Sequence, residues 1–195
     1  MNETDRLYAF VFRGELAKEA LAKTGFVRGE QSAFLEAETA NDLSISYLDQ
    51  ALLTSAKRMA AVYAAVATFE NSARRLVQTV LLDAKKDNWW DECVSKNIRD
   101  RAESRQNEEK KIKWHTQRGQ DLINYTELRD LSNVIQNSNN WPFFEPHVRS
   151  AEWVRSIFDV IERSRNVIMH SGTLEREDIQ RIGINIRDWI KQVGA

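Results

Sequence analysis

Apolar residues recur at intervals of three and four along most of the chain, and no alternation of period two lasts more than a few residues. Spacing of three and four lines one face of a helix, whereas period two would mark strands. Residues 3–23 predict a first helix, with Leu7, Phe10, Val11 and Leu16 on its stripe and Gly25 ending it. Phe26, Phe34 and Leu35 anchor a looser connection. Asn41 or Asp42 is placed to cap a long helix reaching Asp83, whose buried face holds Leu48, Leu52, Met59, Val62, Val66, Phe69, Ala73, Leu76, Val77 and Val80.

"KKDNWW" (85–90) breaks that helix, and Trp89 and Trp90 begin another that runs into "DRAESRQNEEKKIKW" (100–114). Charges of alternating sign there predict a solvated face. "TQRGQDLINY" (116–125) is expected to be a loop. Residues 125–137 predict a shorter helix with Leu128, Leu131, Val134 and Ile135 inward, and "NSNNWPFFEP" (137–146) a turn whose aromatics plug the end of a bundle. A helix then runs from Ser150 through "AEWVRSIFDVIERSRNVIMH", and Gly172 interrupts it. Thr173 is expected to cap the last helix, with Glu175, Glu177 and Asp178 near its start and Ile179, Ile182, Ile186, Trp189, Ile190 and Val193 inward. The pattern is all-α: a helical bundle, divided into an N-terminal helical extension (1–40) and a helical domain (41–195).

Composition narrows the function classes. The 28 Lys and Arg balance 29 Asp and Glu for a net charge of −1, which argues against coating nucleic acid by bulk electrostatics but leaves room for a local basic groove. Cys93 is alone, so no internal disulfide forms; it is expected to be a small core residue, and the cytoplasm is the default compartment. The most apolar run, "MAAVYAAVATFE" (59–70), is shorter than the roughly 18 residues of a membrane span, so no membrane partner is expected. His115, His147 and His170 are scattered and lack Cys or Asp partners at ligand spacing, so no metal site is expected. "RGE" and "RGQ" do not make a glycine-rich phosphate loop.

One stretch departs from the bland pattern. The penultimate helix carries Val154, Ile157, Phe158, Ile161 and Ile168 on its stripe, and stepping four from Ile161 lands on Arg165. A guanidinium there needs a partner or a wet cleft. Glu162, Asn166 or a carboxylate on another helix such as Glu70 can satisfy it; Glu70 can equally pair with Arg74 or Arg75. Glu162, Asn166 and His170 are four apart and share a face. On spacing alone, Arg165 and His170 also fit a helix-end cap plus an ion pair.

"RNVIMH" (165–170) is similar to the R-N-x-x-x-H signature of HEPN domains, α-helical domains of many RNA-cleaving proteins. "FENSARRLV" (69–77), "WW" (89–90), "INYTELRDLSNVI" (123–135), "NNWPFFEP" (139–146) and "RSRNVIMHSG" (163–172) resemble one branch, the HEPN domain of the nuclear endoribonuclease of eukaryotic transcript quality control and its bacterial relatives. The resemblance covers residues 45–192. It implies a cofactor-free, metal-independent endoribonuclease of toxin or antiviral-defence type, acting as a homodimer on RNA. Arg165, Asn166 and His170 would be catalytic. Spacing, not the resemblance, adds Glu162 and Glu70 as supporting residues, and local charge and aromaticity suit Arg163, Lys113 and Trp114 to contact with RNA. An antitoxin or regulatory protein is a further expected partner. However, relatives whose antitoxin modifies a tyrosine carry it two residues after the histidine, where this chain has Gly172. The same resemblance admits a non-catalytic module that binds RNA or nucleotide, or that serves for dimerisation and sensing. Five residues turn a helix by about 500°, leaving Arg165 and His170 roughly 140° apart, so only a second copy lets both face one atom.

Overall fold

The computed structural model describes residues 36–194. The first predicted helix with Leu7, Phe10, Val11 and Leu16, Gly25 that ends it, and the anchors Phe26, Phe34 and Leu35 lie outside the described residues. The chain divides between Leu53 and Thr54 into two compact units. In the first, a helical stretch over 36–42 is followed by a 3-10 turn, Ile45–Tyr47.

The long helix, α1 (Gln50–Lys85), starts later than the pattern predicts. Asn41 and Asp42 end a helical stretch instead of opening one, because Ser44 adopts a left-handed conformation (φ 52°) that no continuous helix tolerates. The cap is Asp49, whose Oδ1 accepts from the Ala51 and Leu52 amides at 2.8 and 3.0 Å. Leu48 and Leu52 are exposed and drop off the stripe. From Met59 onward the stripe is as expected: Val62, Val66, Phe69, Ala73, Val77 and Val80 are buried.

The helix expected from Trp89 onward is two: α2 (Trp89–Cys93) and α3 (Lys96–Lys110). Val94 between them is extended (ψ 126°) and buried, so satisfying the core breaks the helix. Cys93 is buried beside it, and burial pushes its thiol pKa up. On α3 only Ile98 and Ala102 are buried, the solvated helix its charges predict. The expected loop contains a 3-10 turn, Leu122–Tyr125, packed on α3. α4 (Leu128–Gln136) opens with a capping box of Glu127 and Asp130 and buries Leu128, Leu131, Val134 and Ile135. The aromatic turn is one helical turn, α5 (Trp141–Phe144), with Phe144 fully buried. Asn140 locks it, its Nδ2 donating to the Cys93 and Val134 carbonyls at 2.8 Å each.

α6 (Ala151–Met169) begins as expected at Ser150, whose Oγ accepts from the Trp153 amide at 3.1 Å. α7 (Arg176–Val193) begins after Glu175, not at Thr173. Leu174 is buried and its amide meets Met59 Sδ at 3.3 Å, so the chain stays extended through it. The Thr173 hydroxyl is spent on Ser55, 3.1 Å away. α6 packs against both α4 and α7. Where α1, α6 and α7 meet, Trp189 is fully buried and contacts Phe69 and Phe158 edge-on at 5.4 Å each and Trp153 in a stack at 5.8 Å. Each such ring contributes about 1.5–3 kcal/mol of burial. Among the described residues the fold is all-α with no strand, and no helix is long and apolar enough to cross a membrane.

Candidate functional site

Val154, Ile157, Phe158 and Ile161 of α6 are buried. Three residues past Ile161, Ser164 keeps to the buried side and turns its hydroxyl back to the Val160 carbonyl at 2.9 Å. Four residues past Ile161, Arg165 sits at the edge of the stripe with its side chain 33% exposed. Its Nε lies 3.3 Å from Glu70 Oε2 on α1.

Glu70 follows the core residue Phe69, and the 100° step between them turns its carboxylate out of the core while leaving it buried. It also pairs with Arg74 one turn on. Arg74 donates in addition to Asn71 Oδ1 at 3.1 Å and to the Thr126 carbonyl at 3.0 Å. One carboxylate between two guanidiniums satisfies what a buried anion needs. Glu162, the other acid expected to hold Arg165, does not: its carboxylate lies 3.5 Å from Arg129 Nε of α4. The two residues are three apart on α6, enough of a turn to send Glu162 toward α4 and Arg165 toward α1.

α6 ends in a Schellman motif. The Gly172 amide reaches the Val167 carbonyl at 2.8 Å and the Ser171 amide the Ile168 carbonyl at 3.0 Å, with Ser171 left-handed at φ 61°. A Cβ on Gly172 would fall 2.7 Å from Val167 Cγ1 and 2.8 Å from the Val167 carbonyl oxygen, so the close approach requires glycine there. His170 is the C-cap residue and is exposed, as are Asn166 and Arg163.

Arg165 opens onto a cleft of about 620 Å³ that also takes Arg74, Glu70 and Asn71 from α1, Arg105 from α3, Arg118 and Asn124 from the segment after α3, and Glu127 before α4. Asn166 and His170 do not line it. Arg105 and Arg118 were not singled out by the sequence. They sit 40 or more residues from the motif, and the one local clue, "RGQ", points to a turn and not to a cleft. Arg105 is fixed by the Tyr125 carbonyl at 2.7 Å and Glu127 Oε1 at 2.6 Å. Asp130, buried at the start of α4, pairs with both Arg101 and Arg105. The Arg118 amide donates to Glu109 Oε2 at 3.1 Å and its Nε lies 2.6 Å from Oε1; this amide, then the guanidinium, hold the Glu109 carboxyl below the usual carboxylate range. Beyond the end of α3, Lys113 and Trp114 are exposed, Trp114 by 86%, with its ring edge-on to His115 at 5.6 Å. They do not line the cleft either.

A family model described as Swt1-like HEPN matches residues 65–194, which contain α2 to α7, most of α1 and every residue of the cleft except Tyr63. No curated protein and no solved structure matches the chain.

Proposed function

The chain belongs to the Swt1-like HEPN family, and from that premise we propose that it is a metal-independent endoribonuclease that works as a homodimer in the cytoplasm. One observation carries this: Arg165 is held by Glu70 over an open cleft, while His170 of the same helix stands exposed outside it. A cleft completed by the partner's motif brings an imidazole and a guanidinium to one phosphate. Val167 and Met169, 39% and 52% exposed at the end of α6, are apolar surface suited to such a contact.

In the reaction, a ribose 2′-oxygen attacks the adjacent phosphorus and the bond from phosphorus to the 5′-oxygen breaks. His170 takes the 2′-hydroxyl proton or supplies one to the leaving oxygen. Arg165 offsets the charge gathering on the phosphate oxygens, and Asn166 orients the imidazole or donates to a phosphate oxygen. The products are a 2′,3′-cyclic phosphate and a 5′-hydroxyl. Arg163, Lys113 and Trp114 offer charge and a stacking surface to the flanking strand. A toxin or defence setting, with an antitoxin or regulatory protein restraining the dimer, fits an enzyme of this kind.

The alternative is a non-catalytic module for RNA or nucleotide, and the absence of Asn166 and His170 from the cleft lining favours it, since within one chain Arg165 alone of the motif reaches the cleft. Purified protein incubated with total RNA in EDTA decides between them. Cutting that stops in both Arg165→Ala and His170→Ala, with helicity retained, supports the nuclease. Binding without cutting supports the alternative, and cutting by both variants sinks the assignment to this site. Light scattering should report twice the 22.6 kDa of one chain; a persistent monomer removes the composite site.

A further inference from the structure

The cleft beside Arg165 gathers arginines from four separate elements, although the whole chain has a net charge of −1. Two carboxylates, Glu70 and Glu127, line the cleft with them, and Glu109 and Asp130 pair with Arg118 and Arg105 from behind the lining, so what the cleft offers an anion is unspent donors and not net charge. The four are not equivalent. Arg74 and Arg105 spend their terminal nitrogens on protein acceptors. Arg118 and Arg165 are engaged through Nε, to Glu109 and Glu70 respectively. Among the described residues neither makes a hydrogen bond to a protein acceptor through its Nη atoms. Two guanidinium forks, each oriented by a carboxylate behind it, are what bidentate recognition of a phosphate requires.

Arg118 is positioned by its own turn. Gly119 follows it at φ +148°, a backbone conformation that strains any side chain and so favours glycine. The Gly119 carbonyl accepts from the Tyr125 hydroxyl at 3.0 Å, and the Arg118 guanidinium lies 5.7 Å from the centre of that ring. The cleft, at about 620 Å³, is far larger than a phosphate and falls within the range of small-molecule pockets. Its other lining offers the amides of Asn71 and Asn124 and, at 46% exposure, the ring of Tyr63. Side-chain amides read base edges and aromatic rings stack on base faces.

We propose that this cleft is a nucleotide subsite: the Nη forks of Arg118 and Arg165 bridge a phosphate carried on a ribose, and Tyr63, Asn71 and Asn124 meet the base. The proposal rests on the nuclease reading in taking that nucleotide to be one unit of an RNA strand, held next to the bond that is cut. It makes Arg118 a binding residue outside the Arg165–His170 motif.

The test uses the full chain with a fluorescent oligouridylate and, separately, adenosine 5′-monophosphate. Arg118→Ala should weaken RNA binding about tenfold or more and lower the salt dependence by about 0.7 in the slope of log K against log salt, the share of one single-strand phosphate. Arg118→Lys should restore the slope but only part of the affinity, because an ammonium keeps the charge and loses the fork. Lys96→Ala, an exposed ion-pair residue outside the cleft, serves as the unchanged control. In cleavage, the Arg118→Ala loss should appear mainly in KM. RNA binding by Arg118→Ala equal to wild type, with an unchanged melting temperature, overturns the subsite even if cutting is normal. Arg118-dependent RNA binding without cutting keeps the subsite and rejects the nuclease. Arg118-dependent binding of adenosine 5′-monophosphate without RNA binding keeps the subsite with a free nucleotide as ligand. Binding of neither probe overturns it.

Discussion

The same two helices, α1 and α6, build two opposite environments. Around Phe69 and Phe158 they close with α7 on Trp189, ring against ring. Beginning one residue past Phe69 on α1, and one turn past Ile161 on α6, they face each other through Glu70, Arg74 and Arg165. The aromatic end repays its ordering by removing apolar surface from water. The ionic end takes a carboxylate out of water and recovers most of that penalty from two guanidiniums, which at best breaks even against an apolar packing of the same shape. An arrangement that gains so little for the fold, opening on a cleft, is where function is to be sought.

The contrast predicts that stability and activity separate along α6. Trp189→Ala should cost about 3–5 kcal/mol and lower the melting temperature on the order of 10 °C. Trp189→Phe should cost clearly less, because the buried indole N–H has no acceptor and its removal loses no hydrogen bond. Next in size, Arg165→Ala should lower RNA cleavage about 10²–10³-fold, the effect of removing one charge-stabilising donor. Because Glu70 keeps Arg74 and Arg165 is partly exposed, its stability should fall by less than about 1 kcal/mol. Melting curves and single-turnover cleavage on the same preparations check both. A large melting loss in Arg165→Ala would erase the distinction between the two ends.

What the sequence revealed follows the same division. The aromatic end is written in local periodicity: Ser150 before an apolar run, Phe69 and Trp189 on stripes of three and four, Cys93 beside two tryptophans. Arg165 was legible as the residue that breaks such a stripe, and Glu70 as one of its available partners. Three things were not legible, the first for want of a residue pattern that marks a backbone reversal and the other two for non-local reasons. Asn41, Asp42 and Asp49 are all good caps, and the left-handed Ser44 decides among them. Val94 breaks a helix because a core residue is needed where it falls, which depends on how α2 and α3 dock. Arg105 and Arg118 join Arg165 only through tertiary packing, and Glu162 turns to Arg129 because α4 lies on that side.

The end of α6 allows a finer cut. Gly172→Ala drives a methyl into Val167, backbone oxygen included, and should cost about 1–3 kcal/mol in denaturant unfolding. Ser171→Gly should instead gain about 0.5–1 kcal/mol by relieving the left-handed backbone at φ 61°. Both leave the chemistry of His170 in place and change only how firmly the helix end presents it. Under the proposed site, Gly172→Ala should slow cleavage and Ser171→Gly should leave it intact. Cleavage indifferent to both would mean that the helix end does not orient the imidazole.

The smallest effect is a pH response at the ionic end. Glu109 is held below the ordinary carboxylate range, first by the Arg118 amide and then by its guanidinium. A depressed carboxyl contributes stability that is present above the ordinary carboxylate pKa and is lost as pH falls through the lower, folded value. The Arg118 turn should therefore loosen only under acid conditions, below the usual carboxylate titration. Glu152 in the first turn of α6 is depressed too, by its own backbone amide, the Ser150 hydroxyl and Arg155, so the aromatic end has an acid response of its own. Glu109→Gln separates the two. It should remove the acid-induced rise in amide exchange at Arg118 and Gly119 while leaving the response of Trp153 at the start of α6 unchanged. If acid opens both regions together in Glu109→Gln as in wild type, the Arg118 turn is not held by Glu109, and the cleft's fourth arginine loses its anchor.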